Sequence, residues 1–312
     1  MKKPLIFVMG ANPAWQKTLT FGKFTPSAVN RAVKEENYPS GKGVNFCRAL
    51  RCSGLAEMKL FQFAGGENGR KLCAGLDAAG FPHETVVTGG ETRNCITCLD
   101  ASGRMTELIG VSQAVTADEE RELLTGLDAS LPRADLFAVT GSLPDGSDPD
   151  LCRKAAALAV KHGLPVLIDA VTGALPVLEL PGKIILKVNK EEFLRITGCS
   201  DAETAHRFAG EKYPGRIFAI TDGAGKAALS DGETLWTYTL PRIDVVSPLG
   251  AGDTASAVTA ALFAGGMAPE EAFRQALAAA SANCLNATAG EFSREAWCAL
   301  ARQITVMSRK IR

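Results

Sequence analysis

Asp253 lies in SPLGAGDTASAVTAALFAGG (247–266), where two glycines flank an alanine, the aspartate follows, and a small-residue helix begins. Gly250 and Gly252 let backbone N–H groups converge without a Cβ in the way. A helix starting there has amides with no intrahelical acceptor and the positive end of its dipole, so it attracts anions. A carboxylate in that cradle has two readings: a cap for the helix, or a base beside a bound anion. SGKGVNFCRAL (40–50) sets Gly41, Lys42, Gly43 and Asn45 at the start of a second helix. The polar VKEENYP precedes it instead of a buried strand, which excludes a dinucleotide fingerprint. It suits a loop whose amides and Asn45 approach a polar ligand such as a sugar, or simply the first turn of a helix. KVNKEEF (187–193) ends an apolar run in Lys187, Asn189 and Glu192. Asn189 and Glu192, three apart, can share a helical face and reach one hydrated divalent cation, or act as a solvated helix terminus. TDGAGKAAL (221–229) has the backbone of a turn that can wrap phosphates, or of a plain hairpin.

These residues need a frame, and the chain supplies one. PLIFVMG (4–10), ADLFAVTG (134–141), LPVLIDA (164–170), KIILKVN (183–189) and RIFAITDG (216–223) are compact apolar runs, several ending in Gly, Asn or Asp. They read as buried parallel strands. Helix-like segments separate them, such as DPDLCRKAAALAVKHG (148–163) with its Asp start and Gly stop. The alternation predicts an α/β fold, an open sheet covered on both faces, with ligands beyond the carboxyl ends of the strands. Residues 12–40 and 88–110 break the rhythm with alternating sequence such as TRNCITCLDASGRMTEL, which suits a small projecting sheet acting as a lid. With no low-complexity linker or tandem repeat, one domain over 1–312 is expected, carrying that lid.

Composition narrows the function classes. Lys plus Arg (34) balances Asp plus Glu (34), so bulk charge gives no case for nucleic acid or an anionic membrane. No apolar run approaches a membrane span, and the start MKKPLIFVMGANPAWQ has too short an apolar core for a signal peptide; a cytoplasmic protein is expected. Nine cysteines, an odd number at irregular spacing, do not read as a disulfide framework. The lone Cys95-Ile-Thr-Cys98 has no second pair beside it, and His83, His162 and His206 are scattered.

Taken in order, the motifs resemble those of the PfkB (ribokinase-like) family of carbohydrate kinases along nearly the whole chain. GAGD is similar to that family's C-terminal signature, and SGKGVN stands where its Gly-Gly-Lys-Gly-x-Asn motif is found. TGSLPDG (140–146) resembles its Gly-Ser-Leu-Pro motif, KVNKEE its Lys-Pro-Asn-x-x-Glu, and TDGAGKA its nucleotide loop. NPAWQ (12–16), TRNCI (92–96) and SPLGAGD look most like the hexose-phosphate branch, 1-phosphofructokinase and tagatose-6-phosphate kinase.

The resemblance implies a ribokinase-like three-layer sandwich with a mostly parallel sheet and a β lid. It also implies an ATP- and Mg²⁺-dependent kinase acting on a sugar phosphate. On that reading Asp253 is the general base, and the amides of Gly250, Ala251, Gly252 and Asp253 form the anion hole. Arg93 and Ser142 hold the substrate's phosphate, while Asn12, Gln16, Gly41, Lys42, Gly43, Asn45 and Asp253 meet the sugar. Lys187, Asn189, Thr221, Gly223, Gly225, Gly252 and Asn283 meet ATP, with Asn189 and Glu192 reaching Mg²⁺ through water. Gln16 stands where the family has an Asp that accepts from sugar hydroxyls, and its neutral amide both donates and accepts. Ser40, Val188 and Lys226 are milder departures from a Gly, a Pro and a Gly. Trp15 offers either a stacking face or a core side chain. Open lid strands could pair two chains into a homodimer. Two alternatives stay open: a kinase for an unphosphorylated sugar or nucleoside, against which Arg93 argues, and a non-catalytic sensor, which would not need Asp253.

Overall fold

The run LIFVM forms β1 (Leu5–Met9), where Ile6 and Val8 face one hydrophobic layer and Phe7 and Met9 the other. A strand apolar on both faces has to be covered on both, and that sets the architecture. A computed structural model describes residues 2–112 and 114–311; Met1, Gln113 and Arg312, within the expected 1–312 span, lie outside the described residues. After β1 come β2 (Ala14–Phe21), β3 (Lys34–Ser40), α1 (Lys42–Ser53), β4 (Glu57–Gly65), α2 (Gly66–Ala78) and β5 (His83–Thr88). Next are β6 (Asn94–Asp100), β7 (Met105–Ile109), α3 (Ala117–Ser130), β8 (Leu136–Thr140), α4 (Leu151–Lys161), β9 (Val166–Asp169) and α5 (Ala174–Leu178). Then follow β10 (Ile184–Asn189), α6 (Lys190–Thr197), α7 (Ala202–Lys212), β11 (Ile217–Asp222), β12 (Lys226–Ser230) and β13 (Thr234–Thr239). The chain closes with α8 (Ala251–Ala264), α9 (Pro269–Asn283), α10 (Arg294–Ala301) and β14 (Thr305–Lys310).

Ten strands form one sheet in the order β14-β13-β12-β11-β10-β9-β8-β1-β4-β5. From β5 to β11 every pairing is parallel, and β12 to β14 extend the sheet antiparallel. Helices α1, α2, α8, α9 and α10 pack on one face through residues such as Phe46, Leu72, Val258, Phe273 and Trp297. Helices α3 to α7 cover the other through Leu127, Ala155, Val177, Phe193 and Ala209. This is the three-layer α/β sandwich expected from the strand–helix alternation. The strand order reverses at β1, between β4 and β8, and the loops leaving β1 and β8 open a crevice beyond their carboxyl ends.

A separate sheet of order β3-β2-β6-β7 stands beside the main one, its strands drawn from within 12–40 and 88–110. Its register sets Gln16 against Cys95 and Cys95 against Ile109, with Thr18, Thr97 and Glu107 in the next row. Alternation puts both rows on one face. Gln16, Cys95, Glu107 and Ile109 all line a cavity, so this face looks into the crevice. Trp15, next to Gln16 and on the opposite face, packs against the core cluster instead. It is the core side chain, not the stacking one. The nine cysteines are free.

Backbone approach fixes how α1 meets β1. A Cβ on Gly10 would lie 2.5 Å from the Gly43 Cα, and one on Gly43 would lie 2.6 Å from the Gly10 Cα. Neither backbone can yield without moving its element. Gly10→Ala is therefore expected to lower stability by about 1–3 kcal/mol, the usual range for overpacking, read as a lower urea midpoint with unchanged slope. An unchanged midpoint would show that α1 can shift freely against β1.

Candidate active site

The crevice is a cavity of about 910 Å³ bounded by the lid floor, the loops after β1 and β8, the starts of α1 and α8, and the ends of β9, β10 and β11. Its size is near the upper end for small-molecule sites. At one wall, α8 starts from Gly250, whose φ of +77° and tight fit against Ala289 (2.6 Å from an added Cβ) admit only glycine. The first intrahelical bond runs from Thr254 N–H to Gly250 O (2.8 Å), so the amides of Gly252 and Asp253 emerge from the open helix end. The Ala251 amide turns back to Pro248 O (3.3 Å), which leaves a smaller amide cradle than the one expected from Gly250 to Asp253.

Asp253 is not the N-cap; Gly250 holds that position, and Asp253 sits in the first turn. Its carboxylate is 6% exposed and accepts a hydrogen bond on Oδ2 from Asn45 Nδ2 (2.9 Å). Oδ1 has no hydrogen-bond donor among the described residues. Burial pushes this carboxyl above the ordinary aspartate value, and Asp169 adds to the rise; Lys42, Asn45 and Lys187 oppose it. Asn45 is held in turn. Arg48, itself buried, donates from Nη1 to Asn45 Oδ1 (3.0 Å) and Ala289 O (2.9 Å), and from Nη2 to Pro39 O (2.8 Å). The resulting Arg48–Asn45–Asp253 chain fixes which way the Asn45 amide faces.

Asp169, at the end of β9, is the site residue that sequence reasoning missed. Its carboxylate is fully buried and binds Lys42 Nζ at 2.9 Å, Lys187 Nζ at 3.5 Å and the Ser256 hydroxyl. Burial works to raise its pKa, but Lys187, Lys42 and Ser256 outweigh that and hold it below the ordinary value. The same carboxylate, with burial opposing it, pushes the Lys42 ammonium well above its usual range. A lysine at a helix N-terminus is ordinarily disfavoured by the dipole; Asp169 offsets that cost. Lys187 also donates to Gly252 O (2.9 Å), so it ties β10 to the first turn of α8. The available signal was a lone acid ending a buried apolar run, LPVLIDA.

Most of the expected residues converge on the cavity. Asn12, Gln16, Gly41, Lys42, Gly43, Asn45, Arg93 and Ser142 line it at the lid end. Lys187, Asn189, Glu192, Thr221, Gly223 and the α8 start line the rest. Asn12 Nδ2 donates to Ser142 Oγ and to Leu143 O, each at 3.1 Å, tying the β1 and β8 loops together. Arg93 reaches Asn12 O through Nη2 (2.9 Å), while its buried Nε has no partner among the described residues. Gln16 Nε2 donates to Thr97 Oγ1 (2.8 Å) and Lys17 O (3.3 Å). Asn189 and Glu192 form a reciprocal capping box for α6, at 2.9 and 3.0 Å, which is the helix-terminus reading of that pair.

Two expected residues stand elsewhere. Gly225 lies in the three-residue turn joining β11 to β12, where Thr221 and Gly223 reach the cavity wall and it does not. Asn283 is fully buried off the wall. Its Nδ2 donates to Leu249 O (2.9 Å), and its Oδ1 accepts from Gly290 N–H (2.7 Å) and the Thr254 hydroxyl (3.3 Å). Asn283 thus braces the loop ahead of α8, and a small polar residue in a helix gave no hint of that. Among the described residues no cluster of three acidic, His or Cys side chains could hold a metal directly, and no helix is long and apolar enough to cross a membrane.

Comparison with known proteins agrees with this architecture. Escherichia coli phosphofructokinase-2 in complex with potassium superposes with a TM-score of 0.87 at 22% identity, over 96% of this chain and 99% of that one. The same enzyme in complex with fructose-6-phosphate gives 0.84 at 22% identity, over 96% and 99%. A Thermotoga maritima protein described as a possible 1-phosphofructokinase gives 0.81 at 21% identity, over 98% and 100%. At such identities the likeness carries the fold. The family described as pfkB family carbohydrate kinase matches residues 9–296, nearly the whole chain, and the protein belongs to it: it is a pfkB carbohydrate kinase with a ribokinase-like fold.

Proposed function

We propose that this kinase transfers the γ-phosphoryl group of ATP to a hydroxyl of a phosphorylated ketohexose, in the manner of 1-phosphofructokinase or tagatose-6-phosphate kinase. The observation that carries the proposal is one cavity holding both Asp253 and Arg93: among the described residues, one carboxylate oxygen of Asp253 at the mouth of α8 has no donor, and the buried Nε of Arg93 has no partner. Asp253 takes the proton of the acceptor hydroxyl through Oδ1. The amides of Gly252 and Asp253 meet the charge that develops on the transferring group. Lys42 and Lys187, both paired with Asp169 and both close enough to Asp253 to oppose the rise of its pKa, supply cations that such charge attracts. Arg93, with Ser142, holds the substrate's existing phosphate through the guanidinium fork. Asn12, Gln16, Gly41, Gly43 and Asn45 surround the sugar; Lys187, Asn189, Thr221, Gly223 and Gly252 face ATP.

Asn189 and Glu192 fit a hydrated magnesium ion in their outer environment, since Glu192 uses only Oε2 in the capping box and both side chains lie on the cavity wall. Bound there, the ion would neutralise phosphate charge. The open edges of β3 and β7, beside exposed Val29, Val33, Leu108 and Ile109, favour pairing of two chains through the lid.

Three measurements test the assignment. Asp253→Asn is expected to cut turnover by roughly 10²–10⁴, the usual worth of a general base, with thermal unfolding and ATP binding nearly unchanged. Turnover within a few-fold of the parent would remove Asp253 from the mechanism. The base works ionised and its pKa is raised, so the acid limb of kcat/KM should lie above the ordinary aspartate value of about 3.9. Lys42→Met removes a cation that holds the pKa down, so that limb should move to higher pH even as activity falls; a limb that stays put or moves down contradicts the assignment. Arg93→Ala should weaken a sugar phosphate by about 1.5–3 kcal/mol, roughly ten- to two-hundred-fold, with ATP dependence little changed and Lys rescuing only part. Equal losses for phosphorylated and unphosphorylated sugars would assign Arg93 to holding the Asn12 loop.

A further inference from the structure

The lid floor carries a second acidic group that the catalytic assignment leaves unused. Glu107, on β7, lines the same cavity as Arg93 and Gln16. It has no hydrogen bond or ion pair among the described residues; its one described electrostatic neighbour is the Cys95 thiol, which Arg93 also influences. Glu107 is itself exposed, but Glu35 and Glu36, on β3 at the opposite edge of the small sheet, are taken up by lysines: Glu35 by Lys17 at 2.9 Å and Glu36 by Lys34 at 3.1 Å.

The register explains where Glu107 points. It is the direct cross-strand partner of Thr97, and side chains so paired have Cβ atoms about 4.5–5.5 Å apart on one face. Thr97 is buried, and its hydroxyl oxygen accepts from Gln16 Nε2. Gln16 spends that nitrogen on Thr97 and on Lys17 O, so Oε1 is what its amide has left to offer. This floor therefore presents acceptors to the cavity through Gln16 Oε1 and, one row on, the Glu107 carboxylate, whereas Arg93 and Lys42 supply donors. A ligand bound across it must bring hydroxyl donors to the floor and its anionic group to Arg93. A polyhydroxylated chain with one terminal phosphate has that pattern; a second phosphate placed over Glu107 would be repelled.

We propose that Glu107 is a specificity-determining residue: its carboxylate accepts a hydrogen bond from a sugar hydroxyl of the acceptor substrate and selects among ketohexose phosphates by the position and orientation of that hydroxyl. This rests on the sugar-kinase reading above but not on the phosphate assignment to Arg93. A charged acceptor makes a stronger hydrogen bond than a neutral one, and the hydroxyl donor has no other carboxylate on the floor to turn to.

The test is Glu107→Gln and Glu107→Ala, with kcat/KM measured for ketohexoses, their monophosphates and singly deoxygenated analogues, at fixed ATP and Mg²⁺. For the best substrate of the parent, both variants are expected to lose roughly ten- to a hundred-fold in kcat/KM, with KM for ATP unchanged. One deoxy analogue, missing the hydroxyl that Glu107 meets, should already be poor with the parent and lose nothing more in the variants. Losses within two-fold for every sugar, or equal losses for every deoxy analogue, would overturn the proposal. A preference of the parent for unphosphorylated sugars would instead overturn the phosphate reading, and Glu107 would still be judged on whichever sugar is turned over.

Discussion

One buried carboxylate organises the catalytic end of this molecule. Asp169 gathers Lys42 from the start of α1, Lys187 from β10 and Ser256 from α8, so four elements from distant parts of the chain share a single charge. The cost of burying that charge is met only because two ammonium groups and a hydroxyl converge on it. Lys187 extends the constraint by binding Gly252 O, which sets the first turn of α8, and with it the amides and carboxylate at the helix mouth. Removing Asp169 would leave two cations without their counterion and would loosen the tie through Lys187 that sets the first turn of α8.

A second chain of contacts meets the first at Asp253. Arg48 orients Asn45, and Asn45 fixes one oxygen of the Asp253 carboxylate, leaving the other toward the cavity. Asn283 braces the loop from behind through Leu249 and Gly290. The base is thus positioned by a hydrogen-bond chain that ends in the Arg48 guanidinium. Burial raises its pKa against the opposing pull of Asn45 and the nearby lysines. On the far side, the lid contributes one face of a small sheet, and its alternation decides that Gln16, Cys95 and Glu107 look inward while Trp15 packs on the core.

Much of this was legible in the sequence because local signals and long-range roles coincided. The five apolar runs became β1, β8, β9, β10 and β11, since a strand buried on both faces keeps what polar residues it has to its carboxyl end. The glycines of SGKGVN and LGAGD marked true close approaches and helix starts. β4 was obscured by Lys59 and Gln62, whose Nζ and Nε2 donate to Glu84 (2.6 Å) and Thr85 (3.1 Å) on the adjacent strand. β14 was invisible because an exposed edge strand carries no burial period. Asp169 acts through partners far away in sequence, so nothing adjacent to it announces its role, and Arg48, though it meets Asn45 one helical turn away, is anchored to the distant Ala289 carbonyl. Asn283 misled in the opposite sense: a polar residue near the site proved to be a brace.

The most direct test of the account is a crystal structure of the kinase with a ketohexose monophosphate and an unreactive ATP analogue. The account predicts the acceptor hydroxyl within about 2.6–3.2 Å of the free Asp253 oxygen, the distance proton transfer requires, with the sugar's phosphate on the Arg93 guanidinium and the γ-phosphate toward the Gly252 and Asp253 amides. A hydroxyl directed away from Asp253, with that carboxylate still bound only to Asn45, would contradict it.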